Sequence, residues 1–511
     1  MGVVAFRVDA SLQIGAGHVM RCLALAEELR EHGAQCLFVC RMHPGHMIDF
    51  IRERNFEVSV LPSDGGPESK EIGLTSLPRH AEWLNFSWRT DAEQTSSILK
   101  QLQAEWVVVD HYGLDSHWES ALRRLGTNVM VIDDVADRSH DCDLLLDQNL
   151  QEPGRYGALI PRTCQALIGP RYALLRPEFA AMRRSLRQRD GHVHRLLVFF
   201  GGSDRTGETL KALTAIEMFG QADIVVDVVI GHANPYRASI EGTSRRLPNV
   251  NCHRHVSDMA TMMAKADLFV GAGGSSSWER CCLGLPGLIM ATAVNQVDQS
   301  KTLARAGAQL YLGPAELVTS ERMASVIRTA LESPELLVHM AQKGMALVDG
   351  QGANRVLPYL LVSTIKLRPA MPKDSSAVFS WRSDAVTRRY ALNPSEFDRD
   401  SHEKWFATVL SDPNRELLIA EHDEQPIGVL RYDIEAGRAT TSIYLVPGLA
   451  GHGWGKRLLL AGERWLRKRR PDVQVCEAEV SAENDASLSL FRSMGFVPCR
   501  STFRKVIHDV Q

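Results

Sequence analysis

Three observations predict an α/β protein of two Rossmann-like lobes followed by a smaller α+β domain. Over the first two-thirds of the chain, short apolar runs alternate with amphipathic stretches. Near-continuous Val/Ile/Leu/Phe strands with helices between them mark parallel sheets covered on both faces. The pattern restarts at Leu196-Leu197-Val198-Phe199-Phe200-Gly201-Gly202, which sets two lobes, 1–190 and 191–363, with a cleft between them. Beyond Ser363 the texture changes to a strand, two prolines, a helix and several strands in succession, a third domain over 364–511.

In the first lobe, strands are expected at Val3–Val8, Cys36–Cys40, Trp106–Asp110 and Val129–Asp133. In the second they are expected at Leu196–Phe200, Ile224–Ile230, Leu268–Gly271 and Gly287–Met290. The charged stretch from Met182 to Asp190 reads as a helix joining the lobes. The last domain reads as a helix at Ser375–Arg382 and strands at Leu417–Glu421, Ile427–Asp433 and Ala439–Val446. A glycine-rich turn and a helix follow, then a strand at Gln474–Val480 and a helix to Met494.

At 511 residues the chain is too long for one core. A net charge of −3 argues against nucleic-acid or polybasic membrane partners. The one dense basic run, Arg467-Lys468-Arg469-Arg470, fits a solvated helix end, with contact to a CoA phosphate as the other reading. The ten cysteines form no CxxC pair and no zinc-type spacing, so reduced thiols and no metal are expected. No run approaches the ~20 apolar residues of a membrane span, and a cytoplasmic enzyme is expected.

Three glycine loops carry the candidate chemistry. Phe6 to Cys22 runs from a strand through Gly15 and Gly17 into a helix, with His18 in its first turn. Such a loop is either a tight turn or a place where backbone N–H groups meet anionic oxygens. His18 there is either a cap or a base for water at the ligand-binding edge of the sheet. Val270 to Arg280 repeats the pattern through Gly274, Ser275 and Ser276. Glu279 there is a helix-start acid or an acceptor for ribose hydroxyls. Asn295 is a strand-end turn residue or a sugar ligand. Asp9 either orients His18 or caps the loop. Tyr112 reads as a packing aromatic or a site residue, and His111 as a loop histidine.

The runs RVDASLQIGAGHVMRCLALA, VVVDHYGL, FFGGSD, GAGGSSSWERCCLGLP and NQ resemble the UDP-2,4-diacetamido-2,4,6-trideoxy-β-L-altropyranose hydrolase family of pseudaminic acid biosynthesis. The second lobe alone is similar to the wider GT-B superfamily. The resemblance implies a GT-B-like fold and metal-independent hydrolysis to UDP and free sugar. It makes His18 the general base and places Tyr112 and Asn295 at the sugar. Gly15 and Gly17 would admit the diphosphate, Gly274, Ser275, Ser276 and Glu279 would hold UDP, and Arg21 counts among the substrate-binding residues.

In the last domain, Ile443 to Leu459 is a strand, a turn with Gly451, Gly453 and Gly455, and a helix. Asn484 to Phe496 follows with an N-x-x-S and L-F-x-x-x-G-F pattern. Together they resemble the GNAT acetyltransferases. That implies acetyl-CoA as co-substrate, its pantetheine arm along Leu445 and Val446, its diphosphate on the turn and Lys456, and Asn484 beside it. Ala450 stands where Arg or Gln is usual, and Phe491 where many members carry the tyrosine that protonates the thiolate. Tyr444 or water is left for that role. Glu479 is a candidate base or a solvent-facing acid. WRSD at 381–384 and SHEKWF at 401–406 resemble the N-acetyltransferase acting on a UDP-4-amino sugar in the same pathway, with His402 and Trp405 either shaping the acceptor pocket or lying on a surface helix. The expectation is a bifunctional enzyme that acetylates the 4-amino group and then removes UDP. A glycosyltransferase using a UDP-amino sugar, or a hydrolase of a related 2,4-diamino sugar nucleotide, is the alternative.

Overall fold

The computed structural model describes residues 2–62, 78–152, 154–220, 223–231, 233–254, 256, 258–361, 365–389, 398–451 and 453–499. Two compact units divide the chain, Met1–Leu357 and Pro358–Gln511. The boundary expected at Ser363 lies outside the described residues.

The first unit holds two parallel sheets. One is built from β1 (Val3–Val8), β2 (Gln35–Arg41), β3 (Glu57–Leu61), β4 (Trp106–Asp110), β5 (Asn128–Ile132), β6 (Leu144–Asp147) and β7 (Gln165–Ile168), ordered β3-β2-β1-β4-β5-β6-β7. The other is built from β8 (Arg195–Phe199), β9 (Val225–Ile230), β10 (Val250–Arg254), β11 (Leu268–Ala272), β12 (Gly287–Ala291) and β13 (Leu310–Pro314), ordered β10-β9-β8-β11-β12-β13. Each is Rossmann-like, and in each the strand order reverses beside the first strand. That reversal leaves a crevice at the carboxyl ends of β1 and β4, and of β8 and β11, where ligands of such sheets bind. The central strands β4, β11 and β12 are buried throughout, which is why they read as unbroken apolar runs.

A buried ion cluster sits within the first lobe. Asp91, on the Trp88–Leu102 helix, accepts from Arg7 Nε at 3.0 Å and Nη2 at 2.8 Å, Arg41 Nη2 at 2.8 Å and Trp118 Nε1 at 3.0 Å. Four donors offset the desolvation of one carboxylate, and they tie β1, β2 and two helices together.

The junction of the lobes departs from expectation. The helix is Pro177–Arg184, and residues 185–194 carry no helix. Here the arginines serve as staples rather than a solvated face. Arg183 donates to the carbonyls of Cys282 (2.7 Å), Val348 (2.9 Å) and Met345 (3.0 Å). Arg189 donates to those of Leu283 (3.2 Å) and Met263 (3.1 Å). Guanidinium groups spent on backbone carbonyls fix an irregular path that no periodicity encodes.

The second unit is a five-stranded mixed sheet of β14 (Lys366–Pro369), β15 (Arg415–His422), β16 (Gln425–Glu435), β17 (Arg438–Leu445) and β18 (Val475–Glu477), in sequential order. Its pairs are antiparallel except β17 with β18. Asp423-Glu424 and Ala436-Gly437 turn the two hairpins with both central residues at positive φ, the sense that matches strand twist. β18 is shorter than the Gln474–Val480 strand expected, because the chain leaves β17 after Glu477. Among the described residues no helix is long and apolar enough to cross a membrane.

Asp91→Ala would strand two buried guanidinium groups. We expect a loss of about 3–5 kcal/mol in the stability of the first unit, read from the urea midpoint of its far-UV circular dichroism transition.

Candidate active sites

In the first unit the site grows from β1. Val8 lies opposite Asp110 in the β1–β4 register, so the chain after β1 meets the end of β4. Gly15 (φ 81°) turns the loop, and the Gly17–Glu31 helix starts with no side chain capping it. His18 in its first turn is buried, with Nδ1 2.6 Å from Asp110 Oδ1. Asp110 also receives Arg21 Nε at 2.5 Å and Nη2 at 2.6 Å. Asp110 is held well below the ordinary carboxylate range: burial opposes ionisation, but the charges of Arg21 and His18 outweigh it. Asp110 thus engages His18 through Nδ1, and Nε2 is the ring nitrogen outside that bond.

Arg21 was expected at the substrate, yet its guanidinium is spent inside the protein. Besides Asp110 it donates through Nη1 to Asp134 at 2.8 Å, so it positions the carboxylates rather than a ligand. Tyr112 is buried, donates its hydroxyl to Asp134, and sets its ring edge-on to His18 at 4.7 Å. Asp9 neither orients His18 nor caps the loop. It takes Arg7 Nη1 at 2.7 Å and the N–H of Arg41 at 2.7 Å, and faces His43 and His111 at 3.5 Å each. His111 is buried and pushed down to about 3 by burial, and its Nδ1 accepts from the N–H of Gly113 at 3.1 Å, a structural role.

Three functional residues escaped the sequence. Asp110 lies 92 residues from its partner His18, although a strand-end acid beside Tyr112 was a usable signal. Trp83 and His80, on or beside the short Ala81–Leu84 turn, have no motif around them. Trp83 lies 5.6 Å from the Tyr112 ring and 4.5 Å from that of His80, so the two extend an aromatic wall from Tyr112 beside His18.

The second lobe supplies the opposite wall. A methyl group at Gly17 would lie 3.8 Å from Ser275 Oγ, so the glycine loops of the two lobes face each other. Ser275 is exposed at the start of the Ser276–Cys282 helix, and no side chain caps that helix. The Ser276 hydroxyl is instead buried and donates to the Ala272 carbonyl at 3.4 Å. Gly274 has open space around it, with Gln296 Nε2 3.7 Å from where a side chain would begin. Glu279 is pushed up by burial, against the pull of Arg176. Its side chain keeps 20% exposure, and Arg176 Nη2 stands 3.7 Å away. Asn295 is exposed, the first residue of the Asn295–Arg305 helix.

In the second unit β17 pairs with β18 only over Arg438–Thr440, so the strands splay apart toward Leu445. The Val446 N–H, expected to face the cofactor, donates to the Ile427 carbonyl at 2.9 Å. Peptide groups alternate along a strand, so Leu445 presents its own to the open side. Gly451 (φ 85°) and Gly453 (φ 76°) shape the turn, and Gly453 caps the Trp454–Arg469 helix with nothing within 4 Å of where its side chain would be. This open turn at a helix start suits a diphosphate. Lys456 lies in the helix's first turns. Gly455 has another task, since a methyl group there would press on Leu490 at 3.2 Å. Asn484 caps the Asp485–Ser493 helix, accepting from the Ser487 N–H at 3.0 Å. Phe491 is buried against Phe496. Glu479 is exposed, beyond the end of β18.

Two parallel sheets with opposed glycine loops define a ligand-binding α/β unit, and a splayed mixed sheet with a glycine turn defines a cofactor-binding α+β unit. Residues 377–496 match the acetyltransferase (GNAT) family model, and the second unit carries a GNAT acetyltransferase domain. The first unit is related to two curated proteins. One is the spore coat polysaccharide biosynthesis protein SpsG of Bacillus subtilis, 24% identical over 368 residues, covering 70% of this chain and 97% of the relative. The other is the UDP-2,4-diacetamido-2,4,6-trideoxy-beta-L-altropyranose hydrolase of Campylobacter jejuni, 23% identical over 306 residues, covering 60% of this chain and 97% of the relative. Among solved structures, MurG of Acinetobacter baumannii aligns at a TM-score of 0.49 and 16% identity, covering 70% of this chain and 99% of that one.

Behind Asp134, buried charges brace the end of β5. His140 Nδ1 lies 2.7 Å from Glu119, and Arg138 Nη1 2.8 Å from Asp133. Burial pulls His140 down, but Glu119 and Asp133 push it up to about 9. A histidine raised in the fold gives its full stability below its unfolded value and loses it as pH climbs through the folded one. The first unit should therefore lose on the order of 3 kcal/mol between pH 6.5 and 9 from this group. Urea midpoints across that window should show the slope in the wild type and a flatter one in His140→Gln.

Proposed function

We propose that the first unit hydrolyses a UDP-linked 2,4-diacetamido sugar to UDP and free sugar, and that the second acetylates the 4-amino group of its precursor with acetyl-CoA. One observation carries the hydrolytic reading. Asp110 holds His18 by Nδ1, at the carboxyl edge of the first sheet, opposite the glycine–serine loop of the other lobe. A water oriented by Nε2 attacks the anomeric carbon and gives its proton to His18. The bond from that carbon to the β-phosphate oxygen breaks, and UDP departs with the electron pair. Gly274, Ser275 and the N–H groups at the start of the Ser276–Cys282 helix receive the diphosphate, Glu279 takes the ribose, and Asn295 and the aromatic wall receive the sugar. The name of the related Campylobacter jejuni hydrolase supports the substrate class.

For the second unit the glycine turn and the Leu445 edge fit acetyl-CoA, whose thioester supplies the acetyl group. The acceptor amine attacks only when neutral, so its proton passes to Glu479 or to a water chain.

UDP release from the UDP-diacetamido sugar, followed with no acceptor present, should fall by roughly 10²–10⁴ in His18→Ala, and Asp110→Asn should lower kcat while sparing KM. Release that waits for an added alcohol acceptor would replace hydrolysis with glycosyl transfer. In a separate assay, thiol release from acetyl-CoA should depend on UDP-4-amino-4,6-dideoxy-N-acetyl-β-L-altrosamine within a panel of UDP-amino sugars. Silence across the panel removes the acetyltransferase assignment.

A further inference from the structure

Two cysteines of the first lobe meet away from its candidate site. Cys142 Sγ and Cys164 Sγ lie 3.5 Å apart, although the residues are 22 positions apart in the chain. Cys142 leads into β6, and Cys164 directly precedes β7. They stand at the amino ends of their strands, whereas Asp110 ends β4 at the carboxyl edge. Parallel pairing sets the meeting. Leu144 is opposite Gln165, and the Gln165 N–H donates to the Asp143 carbonyl at 3.0 Å. The chain entering each strand is thereby held side by side, and both cysteines join one apolar cluster.

The two thiols differ in access. Cys142 is wholly buried, while Cys164 is half-buried beside the exposed Arg162 and Thr163. The hydrogen bond to Cys164, and then burial, push the Cys142 thiol up, so Cys142 keeps its proton and the Cys164 sulfur accepts it. A reachable sulfur backed by a second one in contact is the arrangement in which oxidation of the first is resolved by the second. Bonding distance is ~2 Å, so the sulfurs must close by about 1.5 Å, a shift that rotation about the two Cα–Cβ bonds can supply.

The chain between the cysteines braces the end of β5. Arg155 donates to Asp147 at 3.0 Å and to the Val135 carbonyl at 2.9 Å, and the Tyr156 hydroxyl donates to Asp133 at 2.9 Å. A covalent link between Cys142 and Cys164 would close that chain into a loop at the sheet edge, where β7 has β6 as its one neighbour.

We propose that Cys142 and Cys164 form a reversible oxidation site, at which a peroxide converts the two thiols to a disulfide that latches edge strand β7 to β6. The Cys164 sulfur attacks one peroxide oxygen, the O–O bond breaks, and the departing hydroxide takes the Cys164 proton as water, leaving a sulfenic acid. The Cys142 sulfur then attacks the Cys164 sulfur. The S–O bond breaks, and the hydroxyl leaves with the Cys142 proton as a second water. Two thiols and one hydrogen peroxide give one disulfide and two waters, with two electrons passing from sulfur to peroxide. An added dithiol reverses the step by exchange.

The test exposes the full chain to hydrogen peroxide and then unfolds it in urea. Two of its ten thiols should be lost to titration, and both should return with dithiothreitol. A digest blocked with N-ethylmaleimide should contain a peptide pair joined through Cys142 and Cys164. The urea midpoint of the first unit should rise on oxidation, because the link restricts the unfolded chain. Cys164→Ser should abolish both the peptide pair and the midpoint shift. In Cys142→Ala, Cys164 should stop at the sulfenic acid, which dimedone traps. If Cys142→Ala does not fold, the thiol count and peptide map of the unsubstituted chain decide. Ten surviving thiols, or a loss that maps to other cysteines, would overturn the site. A Cys142–Cys164 disulfide that leaves the midpoint unmoved would overturn the latch.

Discussion

One buried carboxylate, Asp110, organises the first site. It ends β4, and the parallel register sets it against Val8 at the end of β1. Three nitrogens from one helix converge on it: Nδ1 of His18, and Nε and Nη2 of Arg21. An anion this deep is tolerable only with such donors, and removing one would leave the others facing unpaired charge. Arg21 then carries the link to Asp134, just beyond β5, and Asp134 takes the Tyr112 hydroxyl. The imidazole is thus held by the carboxyl ends of three adjacent strands. Its orientation depends on sheet register rather than on the loop that precedes it.

The second unit solves its binding problem largely with backbone. The short β17–β18 pairing leaves peptide groups open along the strand, and the glycine turn adds more at a helix start. Phe491 has been absorbed into the core against Phe496.

What was legible in the sequence follows from burial. Strands covered on both faces, such as β4, β11 and β12, appear as apolar runs with nearly correct limits. Edge strands do not. β10, Val-Asn-Cys-His-Arg, is half exposed, and β3 begins with a glutamate. Neither carries a run long enough to recognise. The lobe junction misled for a different reason: its charged residues read as a connecting helix, but its arginines donate to carbonyls far away in sequence. Within the site, His18 was readable because strand, glycines and helix start are local. Its orienting acid was not, because proximity in sequence favoured Asp9 and proximity in space belongs to Asp110. Arg21, three residues after His18, shares its helix face, and that spacing hinted at a common partner.

The aromatic wall explains how a base so well held could serve water attack at a sugar. Tyr112 is fixed by its hydroxyl bond and braces the imidazole edge-on, and Trp83 and His80 extend the apolar surface. Burial lowers His80, which favours the uncharged form of that ring beside Trp83. Such a wall excludes bulk solvent, which strengthens every fixed dipole in the cleft. Asp110 therefore sets the orientation of the imidazole through Nδ1, and Trp83, edge-on at 6.4 Å, and Tyr112 flank the ring with aromatic surface.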